Sequence, residues 1–394
     1  MKYDFTTIID RHGMDARAVD GLGGMPGVRP EPPKEGFDVI PMWVADMNFA
    51  TMPAISEAIV RRAQHSIYGY CDPSDEYYNA IINWQKTRNG AKGLTRACIG
   101  YENGVLCGLI SAMGVLCSPG DHVLVHSPTY AGFTDSMTNA GYYLVYSPLK
   151  QDAEHVWRMD LADMEQKIVK NKIHAAILCS PHNPTGRVWE RWELEQAMEL
   201  FRKYDVKVVS DEIWSDLTLE GYKHIPTQSI SEDARNRTVA TYAPSKTFNL
   251  AGLVGGYHII YNETLRDRIE KQFSVCQYNT MNVLSMHVLI AAYTSEGAEW
   301  LGELRQVLTE NVRWASDYIR THFEGVELAD PQGTYMLFLD CTRWCEMHGK
   351  SLQQLLRAGS DVGVAGQDFA ARRFIFYEVS SDGGNVLASC ALKK

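Results

Sequence analysis

The feature that most constrains the fold of this chain is a pattern repeated between His122 and Tyr261, in which short, unbroken apolar runs are separated by stretches of helical spacing. The runs are His122–His126, Tyr143–Tyr146, Ala175–Cys179, Val206–Ser210, Val239–Tyr242 and Tyr257–Tyr261, with helical patterns at Leu161–Lys170 and Trp192–Lys203. A strand with one face in water alternates apolar and polar residues, whereas a strand apolar throughout must be covered on both faces. Helices between such strands supply that cover and the crossovers, so the region is predicted to be α/β with a largely parallel sheet. Upstream, Gly104–Leu116 has helical spacing, and Ser118-Pro119-Gly120-Asp121 is a turn that feeds the His122 run.

The pattern changes on either side. After Gly- and Pro-rich sequence to about Gly36, an apolar segment at Val39–Met42 and a helical pattern from Pro53 to His65 look like an arm entering a domain. From about Met286 long helical stretches take over, through Ala298–Phe323, followed by strand-like runs at Val326–Leu328 and Tyr335–Leu339. The 394 residues suit a large domain with a smaller companion. The expected division is 47–285 for the large domain, with 1–46 and 286–394 forming a smaller α+β unit.

A formal net charge of −10 with no run of Lys or Arg disfavours a polyanionic partner, so no nucleic acid is expected. The N-terminal Met1-Lys2-Tyr3-Asp4 leads into no apolar leader, and the longest apolar stretches are short and interrupted. No membrane association is therefore expected, and the reading is cytoplasmic. Nine cysteines scattered through a chain of this size do not form the framework of a small secreted domain and are expected to be free thiols. Cys341 and Cys345 have no second pair or His cluster nearby, so no metal site is expected.

Ligands of parallel sheets sit beyond the carboxyl ends of the strands, which makes the polar residues there the candidates for chemistry. The His122 run is followed by Ser127-Pro128-Thr129-Tyr130, and the Ala175 run by Ser180-Pro181-His182-Asn183-Pro184-Thr185-Gly186. Asp211 and Glu212 follow the Val206 run, and Ala243-Pro244-Ser245-Lys246 follows the Val239 run. Together they offer an acid, an amine, an amide and an aromatic ring. Each alone is an ordinary turn or surface residue; their order and spacing are far more specific.

Those motifs, with Pro41-Met42-Trp43-Val44-Ala45-Asp46-Met47, Tyr68-Gly69-Tyr70, Pro119-Gly120-Asp121 and the extension Thr247-Phe248-Asn249, resemble the fold-type I, class I/II aminotransferase family. These enzymes depend on pyridoxal 5'-phosphate (PLP). The likeness runs over nearly the whole chain and is nearest to the cystathionine β-lyase-like carbon-sulfur lyase branch. It implies a mainly parallel seven-stranded sheet between helices and a homodimer. It also implies that Lys246 holds PLP as a Schiff base and, once displaced by a substrate amine, becomes the base for the Cα proton. By the same resemblance Asp211 faces the pyridine nitrogen and keeps it protonated, which makes the ring an electron sink. Asn183 is implied to donate to the phenolate oxygen, with Tyr130 stacked on one ring face and Ile213 beneath the other. The phosphate is expected at Gly104, Val105 and Leu106, where a helix begins, assisted by Ser245 and by Tyr70 from the other subunit.

The chain departs from the family in places. Where the family's Arg-x-Asn motif holds the substrate carboxylate, Gly384–Ala391 is the best counterpart and places Leu387 at the arginine. Arg372 and Arg373 lie nearby in sequence, and the usual terminal helix is missing before Lys394. A differently bound substrate, an altered C-terminus and lost turnover are all open explanations. Trp214 stands where many aminotransferases have a tyrosine and many lyases a histidine, and Ala243 lacks a common hydroxyl. These differences weaken an aminotransferase reading more than a lyase reading. The expected activity is β-elimination from cystathionine or a related cysteine S-conjugate, giving a thiol, pyruvate and ammonia. A thiolate leaves readily because its conjugate acid has a pKa of about 8.5. The alternatives are an aminotransferase of a small amino acid and a PLP-binding protein with changed activity. A nicotinamide enzyme is disfavoured, since Gly252-Leu253-Val254-Gly255-Gly256 lacks the Gly-x-Gly-x-x-Gly spacing.

Overall fold

The computed structural model describes residues 1–24, 29, 32, 43–276, 279–350, 377–378 and 385–389. Segment Val39–Met42, Arg372 and Arg373 lie outside these residues. Thirteen strands are present among them: β1 (Ile99–Glu102), β2 (His122–Ser127), β3 (Tyr143–Pro148), β4 (Lys150–Gln151), β5 (Trp157–Arg158), β6 (Ala175–Cys179), β7 (Lys207–Asp211), β8 (Thr238–Tyr242), β9 (Gly256–Ile259), β10 (Glu327–Leu328), β11 (Met336–Asp340), β12 (Tyr377–Glu378) and β13 (Asn385–Ser389).

Seven strands form one sheet in the order β1-β9-β8-β7-β6-β2-β3. Neighbours from β8 through β3 are parallel, while β9 is antiparallel to both β8 and β1. It follows that β1 runs with the parallel set, and that its carboxyl end lies on the same edge as theirs. The unbroken apolar runs have the expected cause. Ala175, Ile177 and Cys179 join the core on one face with Leu109, Met113 and Phe133, while Ala176 and Leu178 join the other with Leu194, Met198 and Phe201. Full burial of one such Leu, Ile or Phe contributes about 1.5–3 kcal/mol over exposure, so a slip of one residue in register would not be tolerated, because it exchanges every side chain between faces.

Helices have local punctuation that matches their sequence. The helix Leu161–Asn171 starts where the Asp160 carboxylate accepts the Asp163 amide at 3.1 Å, and stops at Lys172 in the left-handed region. The helix Arg191–Lys203 opens with a reciprocal Glu190–Glu193 cap. Among the described residues, no helix is long and apolar enough to cross a membrane, and Cys71, Cys98, Cys107, Cys117, Cys179, Cys341 and Cys345 are free thiols.

The strands β10, β11, β13 and β12 make a second, antiparallel sheet, whose apolar core continues into the helix Ser295–His322 through Trp300, Leu304 and Leu308. The N-terminal arm packs here too: Phe5 is buried between Phe49 and Trp300, with ring centroids 5.5 and 5.4 Å away.

Two features place the site. The chain steps from β2 outward to β3 and then, through β6, to β7 and β8 on the other side, so a crevice opens between the carboxyl ends of β2 and β6. The helix Val105–Leu116, which follows β1, points its N-terminus toward the same edge.

Candidate active site

Lys246 lies on a single helical turn, Pro244–Thr247, that Pro244 opens directly after β8. Its Nζ donates to the Ala45 carbonyl at 2.8 Å and sits 5.5 Å from the centre of the Trp214 ring. Burial pushes the amine pKa below its ordinary 10.5, against the pull of Asp46 and Asp211. A buried lysine that loses its proton readily is a nucleophile and a base.

Asp211 ends β7, is 4% exposed, and is pushed up to about 7 by burial, a shift the Ile213 amide at 3.1 Å and the nearby Lys246 only partly offset. Its neighbour Glu212 behaves differently. Burial also opposes ionisation there, but His224 at 2.7 Å, the Tyr242 hydroxyl at 2.6 Å and the Thr227 amide at 3.0 Å outweigh it and hold the carboxyl below its usual range. Glu212 is thus consumed by the scaffold, and Asp211 is the carboxyl left for a cationic guest.

Asn183 is 8% exposed in the loop after β6, and its side-chain amide makes no hydrogen bond among the described residues. The loop around it is tied down by hydrogen bonds. His182 faces the Thr185 hydroxyl at 2.9 Å, its amide donates to Arg187 at 2.8 Å, and the Gly186 carbonyl accepts the amides of Gln332 and Gly333, both at 2.9 Å. Arg187, buried behind the loop, donates to the Trp157 carbonyl at 3.0 Å and to Glu193 and Gln332.

The other expected residues fall as follows. Gly104 caps the helix Val105–Leu116 at φ +93° with open space where a side chain would stand. The amides of Val105, Leu106 and Cys107 precede the first intrahelical donor, Gly108, and so belong to the unsatisfied first turn. Ser245 is half-buried beside Lys246, and Ile213 is half-buried against the core. Tyr130 follows β2 with its ring 37% exposed and its edge on Phe133. Tyr70 is fully exposed in one chain. Its loop is fastened by Arg62, which donates to the carbonyls of His65 and Ile67 at 2.9 and 3.0 Å. The strand β13 pairs Leu387 with Phe338 and Tyr377.

Two groups that hold the Ala45-Asp46 segment were not singled out from sequence. Tyr335 donates to the same Ala45 carbonyl at 2.8 Å and packs edge-on against Trp214 at 4.9 Å. Arg11, from the N-terminal arm, forks onto Asp46 at 2.7 and 3.1 Å and reaches Asn48 at 2.9 Å. Asp46 lay inside a recognised motif; nothing in the sequence pointed to its partner 35 residues earlier.

The residues present suit PLP: a depressed amine, a carboxyl poised near neutrality, a buried amide with spare donors, and a helix N-terminus with room for an anion. Residues 38–365 match the model of the family described as aminotransferase class I and II. The chain belongs to the class I and II aminotransferase family. Within that family it is 34% identical over 339 residues to cystathionine beta-lyase PatB of Bacillus subtilis, covering 84% of this chain and 87% of that protein. It is 30% identical to Protein MalY of Escherichia coli over 92% and 90% of the two chains. The PLP-bound C-S lyase of Staphylococcus hominis superposes with a TM-score of 0.85 at 29% identity, over 100% of this chain and 94% of that one.

Proposed function

We propose that this chain is a PLP-dependent carbon-sulfur β-lyase that converts cystathionine or a related cysteine S-conjugate, with water, into a thiol, pyruvate and ammonia. The observation that carries this reading is the depressed Lys246 amine held on the Ala45 carbonyl beside Asp211, in a chain whose relatives include a cystathionine beta-lyase.

When bound, PLP supplies a sink for the electron pair left at Cα. Lys246 is the covalent anchor and, when free, the base that takes the Cα proton. Asp211 holds a proton at the pyridine nitrogen, and Asn183 donates to the phenolic oxygen. Tyr130 and Ile213 enclose the ring, while Gly104, Val105, Leu106 and Ser245 receive the phosphate. Trp214 is 1% exposed and turns its ring toward the Lys246 amine; it excludes water from the amine but brings no phenol to the phenolic oxygen.

The same reading divides the chain into a large domain, 47–285, and a small one formed by 1–46 and 286–394. It makes the enzyme a cytoplasmic homodimer in which the exposed Tyr70 of each copy completes the phosphate site of the other.

Keto-acid release from cystathionine without any amino acceptor is the expected outcome for purified protein supplied with PLP. Strict dependence on an added keto acid would instead make the enzyme an aminotransferase, and no turnover of either kind would make it a binding protein. Lys246→Ala is expected to lose both the visible absorbance of bound PLP and the turnover.

A further inference from the structure

Immediately before the phosphate-binding turn, the chain buries a carboxylate. Glu102, the last residue of β1, is 1% exposed; its Oε1 faces His258 Nδ1 at 2.6 Å, and its Oε2 accepts from Asn279 Nδ2 at 2.6 Å. The opposite side of the same amide, Asn279 Oδ1, accepts the Asn103 backbone N-H at 2.8 Å. The Asn103 backbone N-H can only donate, so the oxygen of Asn279 must face Asn103, and its amide nitrogen must therefore face Glu102. Room for the arrangement is made by Gly100, where a Cβ would stand 2.2 Å from the His258 ring.

We infer that Asn279 is a positioning residue for the cofactor phosphate, oriented by Glu102 and, through it, by His258. By taking the Asn103 N-H inward, Asn279 fixes the rotation of the turn, and the next amides, from Gly104 onward, are left facing the anion. Without that acceptor the Asn103 N-H loses the bond that turns it inward and the alignment of the next amides is weakened, although Lys246, on a different strand end, is untouched. The proposal rests on the assignment of the phosphate to Gly104, Val105 and Leu106.

The test compares PLP with pyridoxal, which has the aldehyde but no phosphate, titrated into cofactor-free protein and followed by the visible absorbance on Lys246. Wild type is expected to bind PLP far more tightly than pyridoxal. Asn279→Ala is expected to weaken PLP by about tenfold, the loss of one hydrogen bond's alignment, and to leave pyridoxal unchanged. His258→Gln, which keeps a donor toward Glu102, is expected to preserve most of the preference, and His258→Ala to lose part of it. Equal weakening of both ligands in Asn279→Ala, or no change in either, overturns the proposal. Should Asn279→Ala fold poorly, Asn279→Ser gives the same comparison. Wild type binding both ligands equally would remove the phosphate site itself, and the proposal with it.

Discussion

A carboxyl buried as deeply as Asp211, with one backbone amide at 3.1 Å, keeps its proton more tightly in the fold than in the unfolded chain. Between its ordinary value near 3.8 and its folded value of about 7, the unfolded chain has released that proton and the folded chain has not. The unfolded state then binds fewer protons, so stability falls as pH rises through this window. Above it both states are ionised and the penalty is complete. Asp211→Asn removes the titration, and in cofactor-free protein it is expected to melt above wild type, with an advantage that grows by about 2–3 kcal/mol from pH 5 to pH 8. The same variant is expected to lose turnover by on the order of a hundredfold or more, because a neutral amide cannot hold a proton on the pyridine nitrogen. Melting curves at the two pH values decide it: an advantage that does not change with pH would mean that Asp211 is already ionised in the fold. On the proposed reading, the residue whose burial destabilises the empty protein is the one the bound cofactor would require, which is the usual tension between stability and function at a site.

The element that holds Asn183 depends on a close approach between distant segments. Gly186 has φ +70°, and a Cβ there would come within 2.8 Å of both the Gly333 carbonyl and Pro331. The left-handed backbone alone costs a non-glycine residue about 1–2 kcal/mol, and the clash adds a comparable amount. Gly186→Ala is therefore expected to destabilise the protein by about 2–4 kcal/mol and to loosen the loop from residues 332 and 333, weakening PLP binding. Denaturant titration with and without PLP checks both, and a variant as stable as wild type would show that the strap yields without loss. The same contrast between local and distant contacts explains what the sequence disclosed. Strands β2, β6, β7, β8 and β9 were readable to within two residues because burial on both faces writes itself as an apolar run, and the edge strand β3, exposed at both ends, because Tyr143, Leu144, Val145 and Tyr146 are strand formers. Strand β1 was not, since its Gly100 and Glu102 answer to His258 and Asn279 rather than to strand propensity. The helices Asp75–Asn89, Ala131–Asn139 and Glu263–Cys276 also went unread. Lys246, Asp211 and Asn183 stood out because they follow strand runs. Tyr335 and Arg11 reach the site across hundreds of residues or from the arm, and a linear pattern carries no trace of such contacts.

At the scale of the whole molecule, the described chain brings Lys246, Asp211, Trp214 and Tyr335 together but leaves Tyr70 fully exposed on a fastened loop. On the proposed dimer reading, this residue would be offered to the neighbouring copy. In a twofold dimer each copy would give its Tyr70 to the site whose Lys246 belongs to the other, and the two sites would be equivalent. That geometry predicts complementation. Lys246→Ala homodimers are expected to be inactive, and Tyr70→Ala homodimers strongly impaired. In a mixed dimer, one site inherits both lesions, and the other receives an intact Lys246 from one copy and an intact Tyr70 from the other. Unfolding and refolding an equal mixture gives half mixed dimers, each with one sound site, so about a quarter of wild-type activity is expected to return. Mixing without exchange of subunits is expected to return none. If Tyr70 instead served its own chain, every site in the mixture would still carry one lesion, and refolding would recover nothing beyond the average of the two parents.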